Sequence, residues 1–274
     1  MTVEIAVICN NGKNVIVASD KMISFGINEI EMEFECSLSK TIKLTETCAL
    51  ATAGNSLLTA DYVEMLQGGL NGRKKVPLSE IAESARENYA SMRQKRLEQE
   101  ILIPKGIKNI SAFYRLQDKL NPEIISSIQG GIDDFELEYE ILLAGVDKKG
   151  GHLYGIDNPG VTSRFDDIGF NAIGNGGFHS TASLISSGFR TSMGLSESLL
   201  HIYEAKKVAE RAPGVGPGTE VVVIDADRMQ FLGDSQLASL ESVWQSKKEG
   251  LKAWEAEMNW VGKMEEIVRI WNLK

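Results

Sequence analysis

The chain has 274 residues, 43% of them hydrophobic and 24% charged, a composition typical of a folded globular protein and long enough for one large core. Its net charge of −9, with Arg73-Lys74-Lys75 as the longest basic cluster, argues against nucleic acid as a partner, because phosphates are held by grouped Lys and Arg. No apolar run approaches the roughly 18 to 20 residues that span a bilayer and no export signal opens the chain, so the expectation is a cytoplasmic protein with no membrane partner.

In chain order, the β-branched stretch 2 to 8, the turn residues Asn10-Asn11-Gly12-Lys13 and the strand-like stretch 15 to 18 read as a hairpin. Residues 29 to 36 alternate strictly, Glu29, Glu31, Glu33 and Glu35 against Ile30, Met32, Phe34 and Cys36, which predicts a half-buried strand. Stretches 41 to 44 and 48 to 52 form a second strand pair, ending at Ala53-Gly54-Asn55 before a helix from 56 to about 67. Pro77 suits the first turn of a helix whose apolar positions are Leu78, Ile81, Ala82, Ala85, Tyr89 and Met92.

Residues 99 to 132 are broken by Pro104, Gly106, Pro122 and Gly130-Gly131 and read as a partly helical insertion. Residues 135 to 147 and 152 to 156 give another hairpin, and Glu136, Glu138 and Glu140 on it repeat the acidic alternation of a solvated strand face. A short strand at 171 to 173, helices over 178 to 189 and 195 to 211, and strands at 221 to 225 and 229 to 232 follow. Beyond 235, Leu237, Leu240, Trp244, Leu251, Trp254, Met258, Val261, Met264, Ile267, Val268 and Trp271 keep helical spacing.

Strands in pairs, with helices grouped between them, favour sheets packed on each other under outer helices over alternating parallel units. Residues 1–232 thus form one domain with an insertion at about 99–132, and 233–274 a helical tail. Cys9, Cys36 and Cys48 lack metal-type spacing, and His152, His179 and His201 fall in separate elements. The glycine-rich Gly174-Asn-Gly-Gly177 lacks the lysine of a phosphate loop. No disulfide, metal, nucleotide or other cofactor is expected.

Chemistry enters at Met1-Thr2, a start from which methionine aminopeptidases leave a threonine with a free α-amine. A threonine hydroxyl is a poor nucleophile unaided, and an α-amine with a reference pKa of about 8 can take its proton near neutrality. Behind Thr2 come Gly12, Val15-Ile-Val-Ala-Ser-Asp20, Ser39-Lys40-Thr-Ile and Ala51-Thr-Ala-Gly54. Later stretches are Leu143-Ala-Gly-Val-Asp147, Leu153-Tyr-Gly-Ile-Asp157, Ala172-Ile-Gly-Asn-Gly-Gly177 and Gly218-Thr-Glu-Val-Val-Val-Ile224. Taken together and in this order, the series resembles the β-type subunits of proteasomes, which are N-terminal-nucleophile hydrolases. The resemblance runs from about 2 to 232 and leaves out much of 99–132.

What the resemblance implies is an α+β, four-layer αββα sandwich in which Thr2 is the nucleophile. It makes Lys40 a cation beside the Thr2 hydroxyl, Asp20 the carboxylate that orients Lys40, and Gly54 the backbone N–H donor to the oxyanion. Asn175 stands where the family carries a serine near the threonine's amine, and Glu220 where many members carry an aspartate. A nearby ammonium favours the deprotonated hydroxyl and α-amine, and a glycine lets a substrate carbonyl approach the backbone. Thr52 is expected to border the pocket for the residue preceding the cut bond, favouring small or medium apolar side chains.

The implied function is that of a threonine-type peptidase or amidase cutting a peptide or protein substrate through an acyl-enzyme. Its implied setting is a homo-oligomeric ring or closed stack, and whether an ATP-dependent unfoldase joins it is open. Two alternatives keep the same chain: a transpeptidase or ligase in which an amine accepts the acyl group, and a catalytically silent structural or binding subunit.

Overall fold

The computed structural model of the chain describes residues 2–27, 30–35, 39–70, 73, 76–249 and, in the tail, 262, 265 and 269. The first half holds strands β1 (Glu4–Cys9), β2 (Asn14–Asp20), β3 (Met22–Ile27), β4 (Ile30–Glu35), β5 (Ile42–Thr45) and β6 (Cys48–Gly54). Helices α1 (Thr59–Leu70), α2 (Leu78–Leu97), α3 (Ile110–Leu116) and α4 (Pro122–Asp133) come next. Then follow β7 (Tyr139–Asp147), β8 (Gly150–Asp157), β9 (Val161–Arg164), β10 (Phe170–Ile173), α5 (Gly177–Ser186), α6 (Leu195–Ala209), β11 (Thr219–Ile224), β12 (Met229–Phe231) and α7 (Asp234–Lys248).

The strands form two five-stranded sheets, ordered β10-β1-β2-β11-β12 and β5-β6-β7-β8-β9, and every pairing in them is antiparallel. Alternation of side chains decides what each face touches. In β1, Ile5, Val7 and Cys9 join the core shared with Leu199, Ile202 and Ala205 of α6, while Ala6 and Ile8 join the layer that meets the other sheet. In β6, Cys48 and Leu50 pack with Tyr62 and Leu66 of α1 and Ile81 and Ala85 of α2, while Ala49, Ala51 and Ala53 face the first sheet. The fold is therefore an α+β sandwich of two antiparallel sheets with helices. Among the described residues no helix is long and apolar enough to cross a membrane.

Most expected elements appear with shifted ends, and two strands, β3 and β9, add to them. The strand expected over 29 to 36 exists as β4, but it pairs with β3 alone in a two-stranded sheet. Phe34, expected on its buried face, is 47% exposed, because a ribbon of two strands here offers no second layer to cover that position. The insertion is largely helical and carries a small core of its own, with Leu97, Leu102, Ile107, Phe113, Ile128 and Phe135 buried together. In the tail, Leu240 and Val243 of α7 complete the first helical core, so this part folds back on its own domain. Met1, Cys36 and the apolar tail positions from Leu251 onward that set up the helical pattern lie outside the described residues.

Candidate active site

Thr2 lies two residues before the start of β1, and Asp20 ends β2, so the hairpin that pairs Glu4 with Ser19 brings the two together. The Thr2 hydroxyl donates to Asp20 Oδ1 at 2.5 Å and accepts from Lys40 Nζ at 2.6 Å, while Nζ also donates to Asp20 Oδ1 at 2.8 Å. Three of the expected site residues thus close a triangle. Asp20 is fully buried, and its charge is met by further donors: Val3 N–H at 3.0 Å on Oδ1, and Met22 N–H at 2.9 Å and Gly216 N–H at 3.1 Å on Oδ2. Burial works against the charged form, but the Lys40 charge, with hydrogen bonds from Lys40, Thr2 and Val3, holds the carboxyl below its ordinary value.

Lys40 comes from the segment leading into β5. Glu220 on β11 accepts with its Oε1 from Ser39 Oγ at 2.6 Å and from Thr41 N–H at 3.3 Å. Those two residues flank Lys40, so Glu220 pins the main chain from which the lysine reaches in. The extra methylene relative to aspartate supplies that reach.

Gly54 ends β6 with φ +98°, and a Cβ there would stand 2.0 Å from the Glu138 carbonyl oxygen. Only glycine fits both the left-handed backbone and this approach. Gly54→Ala is therefore expected to lower stability by about 2 to 4 kcal/mol through backbone strain and overlap. A urea midpoint unchanged from wild type would show that β6 ends differently.

The turn after β10 leans on Thr2: Gly174 has φ +79°, a Cβ there would lie 2.5 Å from Thr2 O, and Gly176 N–H donates to that oxygen at 3.3 Å. Asn175 itself is exposed in this turn, and the contact with Thr2 is made by its glycine neighbours. Glu140, expected on a solvated face, is half-buried and accepts Gly174 N–H at 2.7 Å on Oε2. It holds the turn against Thr2 from the opposite sheet. Strict alternation gave no sign of this, because β7 has a sheet on one side and helices on the other.

Thr2, Lys40 and Gly54 line one cavity of about 390 Å³ together with Thr52, whose hydroxyl lies 3.2 Å from Thr59 Oγ1. Ile42, Ala53, Ala60 and Val63 make much of the remaining wall apolar.

A second buried lysine was not foreseen. Lys206 on α6 is fully buried, and its Nζ donates to Glu210 Oε1 at 2.6 Å and to the carbonyls of Gly216 and Pro217 at 2.9 Å each. Burial lowers its pKa, and Glu210 opposes that shift. Since Gly216 N–H is a donor to Asp20, Lys206 positions the loop that supports the Asp20 charge. Its sequence signal is a lysine at i+4 from Ile202 on the apolar stripe of a helix. Lys206→Met is expected to destabilise by about 2 kcal/mol, since the Gly216 and Pro217 carbonyls and Glu210 lose their donor, and to speed hydrogen exchange at Gly216. Unaltered Gly216 protection would remove Lys206 from this role.

A scan of the chain against protein-family models finds no match, and a search of curated proteins finds none either.

Proposed function

We propose that the chain is a threonine-type peptidase or amidase with the four-layer αββα sandwich of N-terminal-nucleophile hydrolases, using Thr2 once residue 1 is removed. What carries this reading is the Thr2 hydroxyl held between an ammonium at 2.6 Å and a buried carboxylate at 2.5 Å, at the wall of a largely apolar cavity. Oγ1 attacks the scissile carbonyl and its proton passes to the α-amine, then to the leaving amine as the C–N bond breaks. Water releases the acyl group by the reverse proton path. Lys40 stabilises negative charge on Oγ1, and a backbone N–H at Gly54 receives the oxyanion. The apolar wall fits a small or medium apolar residue before the cut bond.

Intact-mass analysis tests this. The active protein is expected to lack residue 1 and to gain one equivalent of a hydroxyl-reactive peptide electrophile on the peptide starting at Thr2. Retention of Met1 in fully active protein, or an adduct placed elsewhere, would sink the assignment.

The proposal includes a homo-oligomeric ring or closed stack in the cytoplasm. Phe178 and Ile185, seven residues apart on one face of α5, are 80% and 64% exposed, an apolar face in keeping with assembly. A monomer by light scattering at micromolar concentration, under conditions where peptides are cleaved, would refute it.

A further inference from the structure

Beneath the triangle lies a row of polar groups that the proposed chemistry does not use. Across the first sheet, Glu4 on β1 pairs with Ser19 on β2, and Ser19 with Glu220 on β11. All three positions share the face that Ala6, Val17 and Val222 turn toward the other sheet. Glu4 and Ser19 are fully buried and Thr41 is 2% exposed. Neither Glu4 oxygen has a hydrogen-bond partner among the described residues, nor has Ser19 Oγ or Thr41 Oγ1. Buried polar atoms without partners are rare in folded proteins and require a physical account.

The surrounding charges supply one. Lys40, Asp20 and Glu220 all lie close enough to Glu4 to act on its charge. Asp20 takes the Lys40 ion pair and three backbone N–H donors, and Glu220 takes Ser39 and Thr41 N–H. Glu140, facing in from β7 of the opposite sheet, is engaged by Gly174 N–H. Among the described residues no hydrogen-bond donor reaches Glu4, so only the Lys40 charge favours its ionised form, and a carboxylate without a donor at such depth costs several kcal/mol by general estimates. A neutral acid avoids the cost of a buried charge.

We propose that Glu4 is a positioning residue for Lys40: a carboxylic acid that keeps its proton at neutral pH, so that the lysine serves Asp20 and the Thr2 hydroxyl alone. Burial first, and then Asp20 and Glu220, push the Glu4 carboxyl well above its ordinary range against the pull of Lys40. Ionising it in alkaline solution places a second anion behind Lys40, draws the ammonium away from Thr2, and opposes negative charge on Oγ1. The effect on rate rests on the function proposed for Thr2; the protonation and its grip on Lys40 do not.

Two readouts on the full chain and on Glu4→Gln decide the matter without any substrate. A carboxyl raised in the folded state stabilises fully below the unfolded pKa of about 4.3 and loses that contribution as pH rises toward the folded value. Relative to wild type, the unfolding midpoint of Glu4→Gln should therefore rise from acid to neutral pH and stand above it at neutrality. Second, the side-chain carbon resonance of Lys40 should show an alkaline step in wild type that is missing in Glu4→Gln. A variant less stable than wild type at neutral pH, with the deficit shrinking in acid, would mean an ionised Glu4 paired to Lys40 and would overturn the proposal. So would identical Lys40 titrations in the two proteins. Peptides left uncut by both proteins would count against the function proposed for Thr2, while these readouts still decide the role of Glu4.

Discussion

Thr2→Ala should leave the protein folded and lower peptide hydrolysis by roughly 10⁴-fold or more, the scale on which a catalytic unit loses its nucleophile. The structural cost is small because both partners keep other contacts. Asp20 retains Lys40 and the N–H groups of Val3, Met22 and Gly216, and Lys40 retains Asp20. One hydrogen-bonding hydroxyl is worth about 1 kcal/mol net. Steady-state hydrolysis of a fluorogenic peptide, beside a urea titration, separates the two effects. Undiminished turnover in Thr2→Ala would mean that another group attacks the substrate.

Lys40→Ala should lose activity as completely and, unlike Thr2→Ala, also lose about 3 to 5 kcal/mol of stability at neutral pH. It strands the charge on a fully buried carboxylate, the costly way to break an ion pair. The sign of the pH dependence follows from the Asp20 carboxyl being lowered in the folded protein. Its stabilisation is present above the unfolded pKa of about 3.9 and is lost as pH falls through the folded value. Without Lys40 that lowering shrinks or reverses, so the deficit of the variant should be largest near pH 7 and narrow near pH 4 as Asp20 takes up a proton. Urea midpoints at the two pH values measure it. A midpoint at pH 7 equal to wild type would show that the five-donor cage of Asp20 does not depend on the lysine.

The legible parts of this molecule are those where one side chain carries one physical demand. The apolar runs of β1, β2, β6 and β7 were readable because these strands are covered on both faces, and the Ala53-Gly54 stop was readable because few residues tolerate that backbone. The order of Thr2, Asp20 and Lys40 along the chain was visible, and the structure does bring them within hydrogen-bonding distance. Other features depend on which strand lies beside which. Glu220 bonds to Ser39 across 181 positions of sequence, and Glu140 reaches a turn from the opposite sheet. No local period encodes such contacts. β3 was passed over although Ile23, Phe25 and Ile27 alternate with Ser24 and Gly26, and the burial of Phe34 was overestimated because a strand's period does not say whether anything covers it. Glu4 and Lys206 did leave a trace, a single charge inside an otherwise apolar stripe.

The layer between the sheets sets five alanines, Ala6, Ala49, Ala51, Ala53 and Ala144, among larger Val, Ile and Leu side chains. Thr2 and Asp20 ride on one side of this seam, while Lys40, Thr52 and Gly54 ride on the other. Alignment of the triangle is therefore a matter of shear: sliding one slab past its neighbour by the width of a methyl group would part the ammonium from the hydroxyl without disturbing either strand pair. Short side chains mesh with little slack, so the alanines act as detents that hold the two halves of the chemistry in register. Enlarging Ala49 or Ala144, paired at the end of β6 away from Gly54, should detune the proposed chemistry while leaving every residue of the triangle in place.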